Sequence, residues 1–506
     1  MKSTHFIKSV LSTFSLFGMS CALAFGLTGD ASAQRYYPVT TQAQAEAITG
    51  APVQGVPADA AMQAGVPADA AIPSAEAYAG VPAGYGYAPC QTCAACQTCA
   101  ACCCEEAPRG LFLHNLFPTQ CVNGCLGPGA FFMEGHIAQG WNFSGNDSDY
   151  LEPIGTNDHS GYQMKQLYLS FGRRVAHGDS WALGFQGDLM FGTDYYYATS
   201  TGLETDHNGR AKLNKTTDEA AYRAGHSQYG MAIPQAYLEV YCPWLLGIDV
   251  KVGHFYSVMG YEGAVSTGNF FNSRSYTSLY GMPGTMTGVM TTSRLGDHCS
   301  LILGAVNEWG AFDTPTDLFS FVVGVTLENA CRNLSLSAVV MTGKQSFGME
   351  GSDGYDTTVF DLCGKWNITP CFSYVMEFTV GHAENPYYCM ETGNWKQGRN
   401  WYGFANYLFW QVREDLTLGF RFEMFSDPDD TVINGGYGMA WNDKGSTYFN
   451  WSLGANWDPC CWLTVRPEVR WDYSKWEYVG APGSGTYDQN TSTSQFTGSV
   501  DLIVRF

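Results

Sequence analysis

The stretch Phe496-Thr497-Gly498-Ser499-Val500-Asp501-Leu502-Ile503-Val504-Arg505-Phe506 decides the fold class. Successive side chains of a strand point to opposite faces. Phe496, Gly498, Val500, Leu502, Val504 and Phe506 therefore share one face, apolar with an aromatic at each end. Thr497, Ser499, Asp501, Ile503 and Arg505 share the other, which is mostly polar and charged. A strand of about 9–11 residues with this alternation crosses an outer membrane with lipid on one side and water on the other. A half-buried strand of a soluble sandwich alternates in the same way, so this stretch alone leaves both architectures open.

Working back from that strand, alternating segments recur as far as Phe131: 131–143, 162–173, 180–190, 234–241, 247–255, 286–295, 299–309, 318–328, 333–342, 356–367, 371–382, 401–411, 416–425, 447–457, 462–472 and 496–506. Phe319, Phe321, Val323, Val325 and Leu327 oppose Ser320, Gly324 and Thr326, and Leu463, Val465, Pro467, Val469 and Trp471 oppose Thr464, Arg466, Glu468, Arg470 and Asp472. Segment 401–411 is apolar on both faces, which leaves its register open. Short turns, such as Tyr241-Cys242-Pro243-Trp244 and Arg413-Glu414-Asp415, alternate with long polar loops. Segregated loop length is the rule of outer-membrane barrels, long outside and short inside, and a soluble sandwich has no reason to follow it. The expected fold is all-β: a transmembrane, antiparallel, up-and-down barrel of about sixteen strands over residues 131–506.

Composition agrees. The chain of 506 residues is 45% hydrophobic, 15% aromatic and only 14% charged, against roughly 25% charged in an average soluble domain. A formal net charge of −21 lacks the basic footprint that nucleic-acid binding requires. At the front, Lys2 and Lys8 precede a mostly apolar run from Val10 to Leu27, and Ala31-Ser32-Ala33 offers a small-residue cleavage site, so residues 1–33 read as a secretory signal peptide. Residues 34–107 are rich in Ala, Pro, Gly and Gln, and GVPADAAM (Gly55–Met62) returns as GVPADAAI (Gly65–Ile72). Such a segment buries too little apolar surface to offset its chain entropy and reads as a disordered, extended tether. Residues 108–130 form a linker to the barrel.

The tether ends in a cysteine ribbon, Cys90, Cys93, Cys96, Cys99, Cys102, Cys103 and Cys104, followed by Cys121 and Cys125. In an exported chain disulfides are the default for these nine side chains. Zinc held by paired CxxC units is a second reading and free or mixed thiols a third, and no His follows any CxxC, which excludes c-type haem attachment. Cys242, Cys299, Cys331, Cys371, Cys460 and Cys461 fall at or beside short turns, on the side where the ribbon enters, and Cys363 and Cys389 do not. The ribbon could thus crosslink to the barrel rim or to a periplasmic wall component.

A barrel of about sixteen strands leaves an aqueous lumen unless something fills it. The registers put Glu134, Asp188, Glu239, Asp249, Asp361, Glu377, Glu423, Glu468, Asp472 and Asp501 inward, against Lys251, Lys365, Arg421, Arg466, Arg470 and Arg505. The acidic excess implies a weak cation preference. The loop from Tyr256 to Thr285 is aromatic and charge-poor, with Gly260-Tyr261-Glu262, Asn269-Phe270-Phe271-Asn272-Ser273-Arg274-Ser275-Tyr276 and Gly281-Met282-Pro283-Gly284. Folded into the lumen, it would set Glu262 and Arg274 across from wall charges and narrow the pore; packed over the mouth, it would not. Glu262, Arg274, Arg421, Glu423, Arg466, Glu468, Arg470 and Asp472 are the candidate constriction and lumen residues.

The run Lys251-Val252-Gly253-His254-Phe255, Gly260-Tyr261-Glu262, Asn269 to Tyr276, and Pro283 before Thr287-Gly288-Val289 resembles the OmpL-like β-barrel porin family of planctomycete type. Gln166-Leu167-Tyr168-Leu169, Gly187 to Asp194 and Arg466-Pro467-Glu468-Val469-Arg470 fit the same family, over residues 131–506, and a terminal aromatic such as Phe506 resembles the sorting signal of bacterial outer-membrane barrels. The resemblance implies an outer-membrane porin-like protein, brings no established substrate and no catalytic residues to transfer, and leaves the tether and cysteine ribbon outside it.

No GxSxG, HExxH, P-loop or Rossmann glycine pattern occurs, so no enzyme is expected. His254, Asp249 and Ser257 are close in sequence, without any feature that marks a catalytic set. Asp427, Asp429, Asp430 and Asn434 cluster in one loop at a spacing that matches no calcium loop, and read as a solvated tip. The expected function is passive diffusion of small hydrophilic solutes through the bacterial outer membrane, with the N-terminal segment periplasmic, lipid as the surrounding partner, homo-oligomers by fold analogy, and neither cofactor, metal nor nucleic acid involved. The alternative is a structural envelope protein whose barrel anchors a cysteine-rich tether to the wall.

Overall fold

The computed structural model describes residues 121–122, 125–126, 129, 131–145, 160–206, 212–214, 229–314, 318–345, 354–389, 394–429, 431–433, 446–474 and 493–506. Residues 1–120, with the expected signal peptide, the expected tether and Cys90 to Cys104, lie outside the described residues, as do Asn146 to Asp149, Asp430 and Asn434. A two-residue ladder, β1 (Cys121–Val122) with β2 (Cys125–Leu126), precedes the barrel.

The barrel strands are β3 (Phe131–Ser144), β4 (Gly161–Arg173), β5 (Ala182–Gly192), β6 (Gly230–Cys242), β7 (Ile248–Tyr256), β8 (Thr285–Gly296), β9 (Cys299–Asn307), β10 (Phe319–Glu328), β11 (Leu334–Gln345), β12 (Tyr355–Thr369), β13 (Phe372–Cys389), β14 (Asn394–Arg413), β15 (Leu416–Asp427), β16 (Ser446–Cys460), β17 (Leu463–Ser474) and β18 (Ser494–Arg505). Each pairs antiparallel with its sequence neighbours, and β18 pairs with β3 to close the ring. At the seam Gly135 and Phe506 exchange two backbone hydrogen bonds of 2.9 Å each. Closed pairing leaves no unpaired strand edge in hydrocarbon, the condition a spanning sheet must meet. No helix among the described residues is long and apolar enough to cross a membrane.

The outer face is apolar and open. Trp410 is 55% exposed and Leu453 57%, and Trp451 stacks on Trp471 at 4.7 Å between ring centroids. The side chains between them turn inward and are buried, among them Arg421, Glu423, Arg466, Arg470 and Asp472. Ile503, on the mostly polar face of the last strand, is buried inside as well.

The interior has two unlike halves. On β8 to β12 the inward residues include Met286, Met290, Ile302, Val306, Val322, Val339, Met341 and Val359, which form one buried apolar cluster. On β15, β17 and β18 the inward residues include most of the buried charges of the wall. Strand β14 borders the apolar half. Trp401, Ala405, Tyr407 and Phe409 point in and are buried, while Tyr402 and Trp410 point out. This explains why the segment is apolar on both faces: one meets lipid, the other a packed interior.

The short turns gather at the end where β3 starts and β18 stops. In the β6–β7 turn, Leu245 and Gly247 take positive φ values of 59° and 102° to reverse the chain within a few residues. In the β10–β11 turn the Asn329 side chain accepts from the backbone N–H groups of Asn333 and Leu334, which holds Arg332 at φ 53°. At the opposite end the β13–β14 hairpin runs further than the alternation suggests, because residues 383–400, read as a polar loop, continue the ladder to Cys389↔Asn394.

Candidate lumen site

The chain between β7 and β8 leaves the wall at Tyr256 and returns at Thr285 through the inside of the barrel. Its apolar side chains Val258, Met259 and Met282 join the buried cluster of the apolar half. Phe270 and Phe271 pack with Tyr407 and Phe409 of β14. Two glycines make room. A Cβ on Gly419 would lie 2.2 Å from the Phe270 ring, and one on Gly403 2.5 Å from Thr277 Oγ1.

The polar side of the loop is fastened to several strands of the wall. Gly260 N donates to Asp361 on β12 (2.9 Å). Gln166 on β4 donates to Ala264 O (2.6 Å) and accepts from Ser266 N (2.9 Å). Glu468 on β17 accepts from Ser273 N and Oγ. Glu423 on β15 accepts from Tyr276 N, Thr277 N and Thr277 Oγ1. The single turn α1 (Tyr276–Tyr280) is capped by Ser275, whose hydroxyl accepts from Ser278 N at 3.1 Å. Backbone donors held by carboxylates in this way are strong, charge-assisted hydrogen bonds.

Three wall arginines complete the docking. Arg421 meets Glu262 of the loop at 2.8 Å, donates to Ser273 O and Oγ, and lies 4.8 Å from the Phe271 ring centroid. Arg466 pairs with Asp501 at 2.6 Å and donates to Ser266 O and Asn269 O. Arg470 forks onto Asp472 with two bonds of 2.7 Å and donates to Arg274 O. Each is buried, so each charge needs a partner of this quality to be tolerated.

The eight candidate residues thus share one region of the interior, but not with equal roles. Glu262 faces a wall charge, Arg421. Arg274 does not: its guanidinium donates to Gly263 O, Ala264 O and Asn272 O of its own loop and stands 4.0 Å from Asp194 in the 3-10 segment Thr193–Ala198. It shapes the loop from within, because its side chain curls back over the carbonyls of a tight turn. Sequence reasoning missed Lys165, which donates to Asn142 and Asn272, and Gln166. The β3–β4 register shifts between Ala138 and Gln139, so strict alternation does not bring both residues inward.

A gap of about 10 Å³, barely room for one water, remains between the loop and the wall of β3, β17 and β18, lined by Asn142, Ser273, Glu468, Arg470, Thr497, Gly498 and Ser499. Its lining residues include one acid and one base.

The other candidates are separated. His254 bonds Ser200 Oγ (3.3 Å) and Thr287 Oγ1 (2.7 Å), Asp249 pairs with His177 (2.8 Å) at the short-turn end, and the Ser257 hydroxyl accepts from Met259 N. Asp427 is no solvated tip: it is buried and accepts from the N–H groups of Thr431, Val432 and Ile433. In the loop after β5, burial raises the Glu204 carboxyl above its ordinary value, opposed by the N–H donors of Ile233 and Ser200. Among the described residues no group of His, Cys, Asp or Glu side chains could hold a metal ion.

The family described as "Putative beta-barrel porin-2, OmpL-like" matches residues 133–506. No curated protein matches the chain. Among solved structures, the outer membrane channel DcaP of Acinetobacter baumannii is 12% identical, with 75% of this chain and 98% of that chain covered at a TM-score of 0.49. OmpF of Salmonella typhi is 10% identical, with 75% and 98% covered at 0.47. An anion-selective porin from Comamonas acidovorans is 11% identical, with 74% and 99% covered at 0.45.

Proposed function

Because the chain belongs to the OmpL-like putative β-barrel porin-2 family, we propose that it is an outer-membrane channel for passive diffusion of small hydrophilic solutes, constricted by the loop between β7 and β8. The observation that carries this reading is the docking of that loop inside the barrel, where Glu262 pairs with Arg421 and where Glu468 and Arg470 line the narrow gap described above. Asn142, Ser273, Thr497 and Ser499 offer polar side chains to a solute passing beside the docked loop. Catalysis has no place in this reading, which rests on the family and on a charged interior committed to holding the loop.

A weak cation preference is part of the proposal. The inward acids support it, but Lys165, Arg294 and Arg399 also face inward, against the further acids Glu328 and Asp427. The excess is smaller than alternation alone suggests, so the preference is slight. The short-turn end is proposed to be periplasmic, by the loop-length rule. Residues 1–33 are then removed, residues 34–107 stand in the periplasm, and copies associate in the membrane as an analogy with other porins.

The test is single-channel conductance of the mature protein in a planar bilayer under a salt gradient. Steady ohmic steps with a small cation-sided reversal potential are expected. The second reading, a barrel that serves as a structural anchor, is favoured by the loop's contacts with both halves of the wall. Stable insertion without conductance would put that reading first.

A further inference from the structure

The outward face of the barrel is mostly apolar, and two carboxamides stand within it. Asn406 on β14 faces out between Phe404 and Leu408, with Met376 of β13 and Phe422 of β15 beside it in the ladder. Gln139 on β3 faces out between Ile137 and Trp141, with Leu502 of β18 and Met164 of β4 beside it. Their chain neighbours Ala405, Tyr407 and Ala138 are buried on the inner side. Each carboxamide is thus ringed by side chains that meet hydrocarbon.

One tyrosine serves each of them. The Tyr374 hydroxyl donates to Asn406 Oδ1 at 2.6 Å, and the Tyr162 hydroxyl donates to Gln139 Oε1 at 2.7 Å. Both amide oxygens are engaged, while neither NH2 group makes a hydrogen bond among the described residues. Lipid tails offer no acceptor, and a bare polar group in hydrocarbon is costly. In membranes such side chains act as glue between polypeptides. The opposite wall differs: Thr291 of β8 also faces out, but it spends its hydroxyl on Leu303 O of β9 at 3.1 Å.

We propose that the face from β14 through β15, β16, β17 and β18 to β3 is where further copies of this chain pack in the membrane, with Asn406 of one copy hydrogen-bonded to Gln139 of the next. A carboxamide presents donors and an oxygen with a second lone pair, so this chain supplies both halves of the contact. Between the two amides lie the packed rings of Phe422, Phe449, Trp451 and Trp471, and aromatic side chains are enriched in contact surfaces. Strand spacings of about 4.8 Å and an apolar band about 25 Å tall give this face roughly 600 Å² in projection, near the ~800 Å² that each partner of a specific contact uses. A contact between two different patches repeats from copy to copy and closes as a ring. The inference rests on the association of copies proposed above and adds which face and which groups carry it.

The experiment sets a photoreactive benzoyl-phenylalanine in place of Leu453 on β16 or of Leu303 on β9, both exposed on the outer face, in the full chain in its own envelopes. Irradiation is expected to join copies through position 453 and not through 303. A second measurement takes the mass of particles cut from the membrane by a nanodisc-forming polymer. Several copies are expected for the native chain and single barrels for Asn406→Leu with Gln139→Leu, at unchanged heat-modifiable mobility of the barrel. No crosslink from 453, an equal yield from 303, native particles of one copy, or unchanged assembly of the double variant would overturn the proposal. Conductance of the same samples keeps the two readings apart. Single copies that conduct overturn the interface and leave the channel standing, whereas native copies joined through 453 without conductance support the interface and overturn the channel.

Discussion

Arg466 and Arg413 each meet an aspartate, yet their surroundings make them different interactions. Arg413 pairs with Asp415 at 3.0 Å in a turn, with both side chains largely exposed. Arg466 pairs with Asp501 at 2.6 Å with neither exposed, and it also holds two loop carbonyls. Arg413→Ala is expected to change stability by no more than about 1 kcal/mol, since exposed pairs are screened. Arg466→Ala is expected to cost about 3–5 kcal/mol by leaving Asp501 buried without its main counter-charge. Urea unfolding in lipid vesicles, followed by tryptophan fluorescence, measures both; equal costs would refute this ranking. The inward placement of Arg466, Glu468, Arg470 and Asp472 was legible because a strand's period is two. The partners of Arg274 were not, because hydrogen bonds to loop carbonyls leave no trace in the spacing of side chains.

At the scale of elements, the barrel strands could be read nearly to their ends wherever one face meets lipid. Legibility failed where that contrast vanishes. Strand β14 shows apolar residues on both faces because its inner face packs on the loop, and the outer reach of β13 and β14 shows few on either. The loop between β7 and β8 betrayed itself by too many aromatics for a solvent-exposed segment, and its place inside depends on close backbone approach at Gly419 and Gly403. Gly419→Val pushes a methyl-bearing carbon into the Phe270 ring. It is expected to loosen the loop, widen the passage and raise single-channel conductance with more open-state noise, while heat-resistant gel mobility of the barrel persists. Unchanged conductance in a folded variant would show that the loop does not limit flow.

For the whole molecule, the division of the interior explains how a wide barrel can be so thoroughly packed. One half offers methionine and branched aliphatic side chains, the other offers arginines and carboxylates, and the loop carries a matching face for each. Neither half alone would hold it: the apolar contacts set depth, and the charge-assisted bonds set orientation. This matching spans strands far apart in sequence, which is why alternation, a local signal, could reveal the wall but not what the wall encloses.

The seam between β18 and β3 adds a matter of timing. The strand that shuts the ring is the last to be synthesised, so the whole wall exists as unpaired chain before any of it can be sealed. Until then two raw edges are available to any passing strand. Closure therefore depends on β18: a chain lacking that strand has no partner edge for β3 at Gly135. Gly135 is the narrow point of that seam, since a Cβ there would sit 2.6 Å from Tyr168 O and 2.7 Å from the Phe506 ring. Gly135→Val is accordingly expected to yield chain that is exported and then degraded instead of a slightly weaker barrel. Pulse-labelling with heat-modifiable mobility as the readout would detect this, and a variant that matured at the normal rate would show that the seam is not the checkpoint.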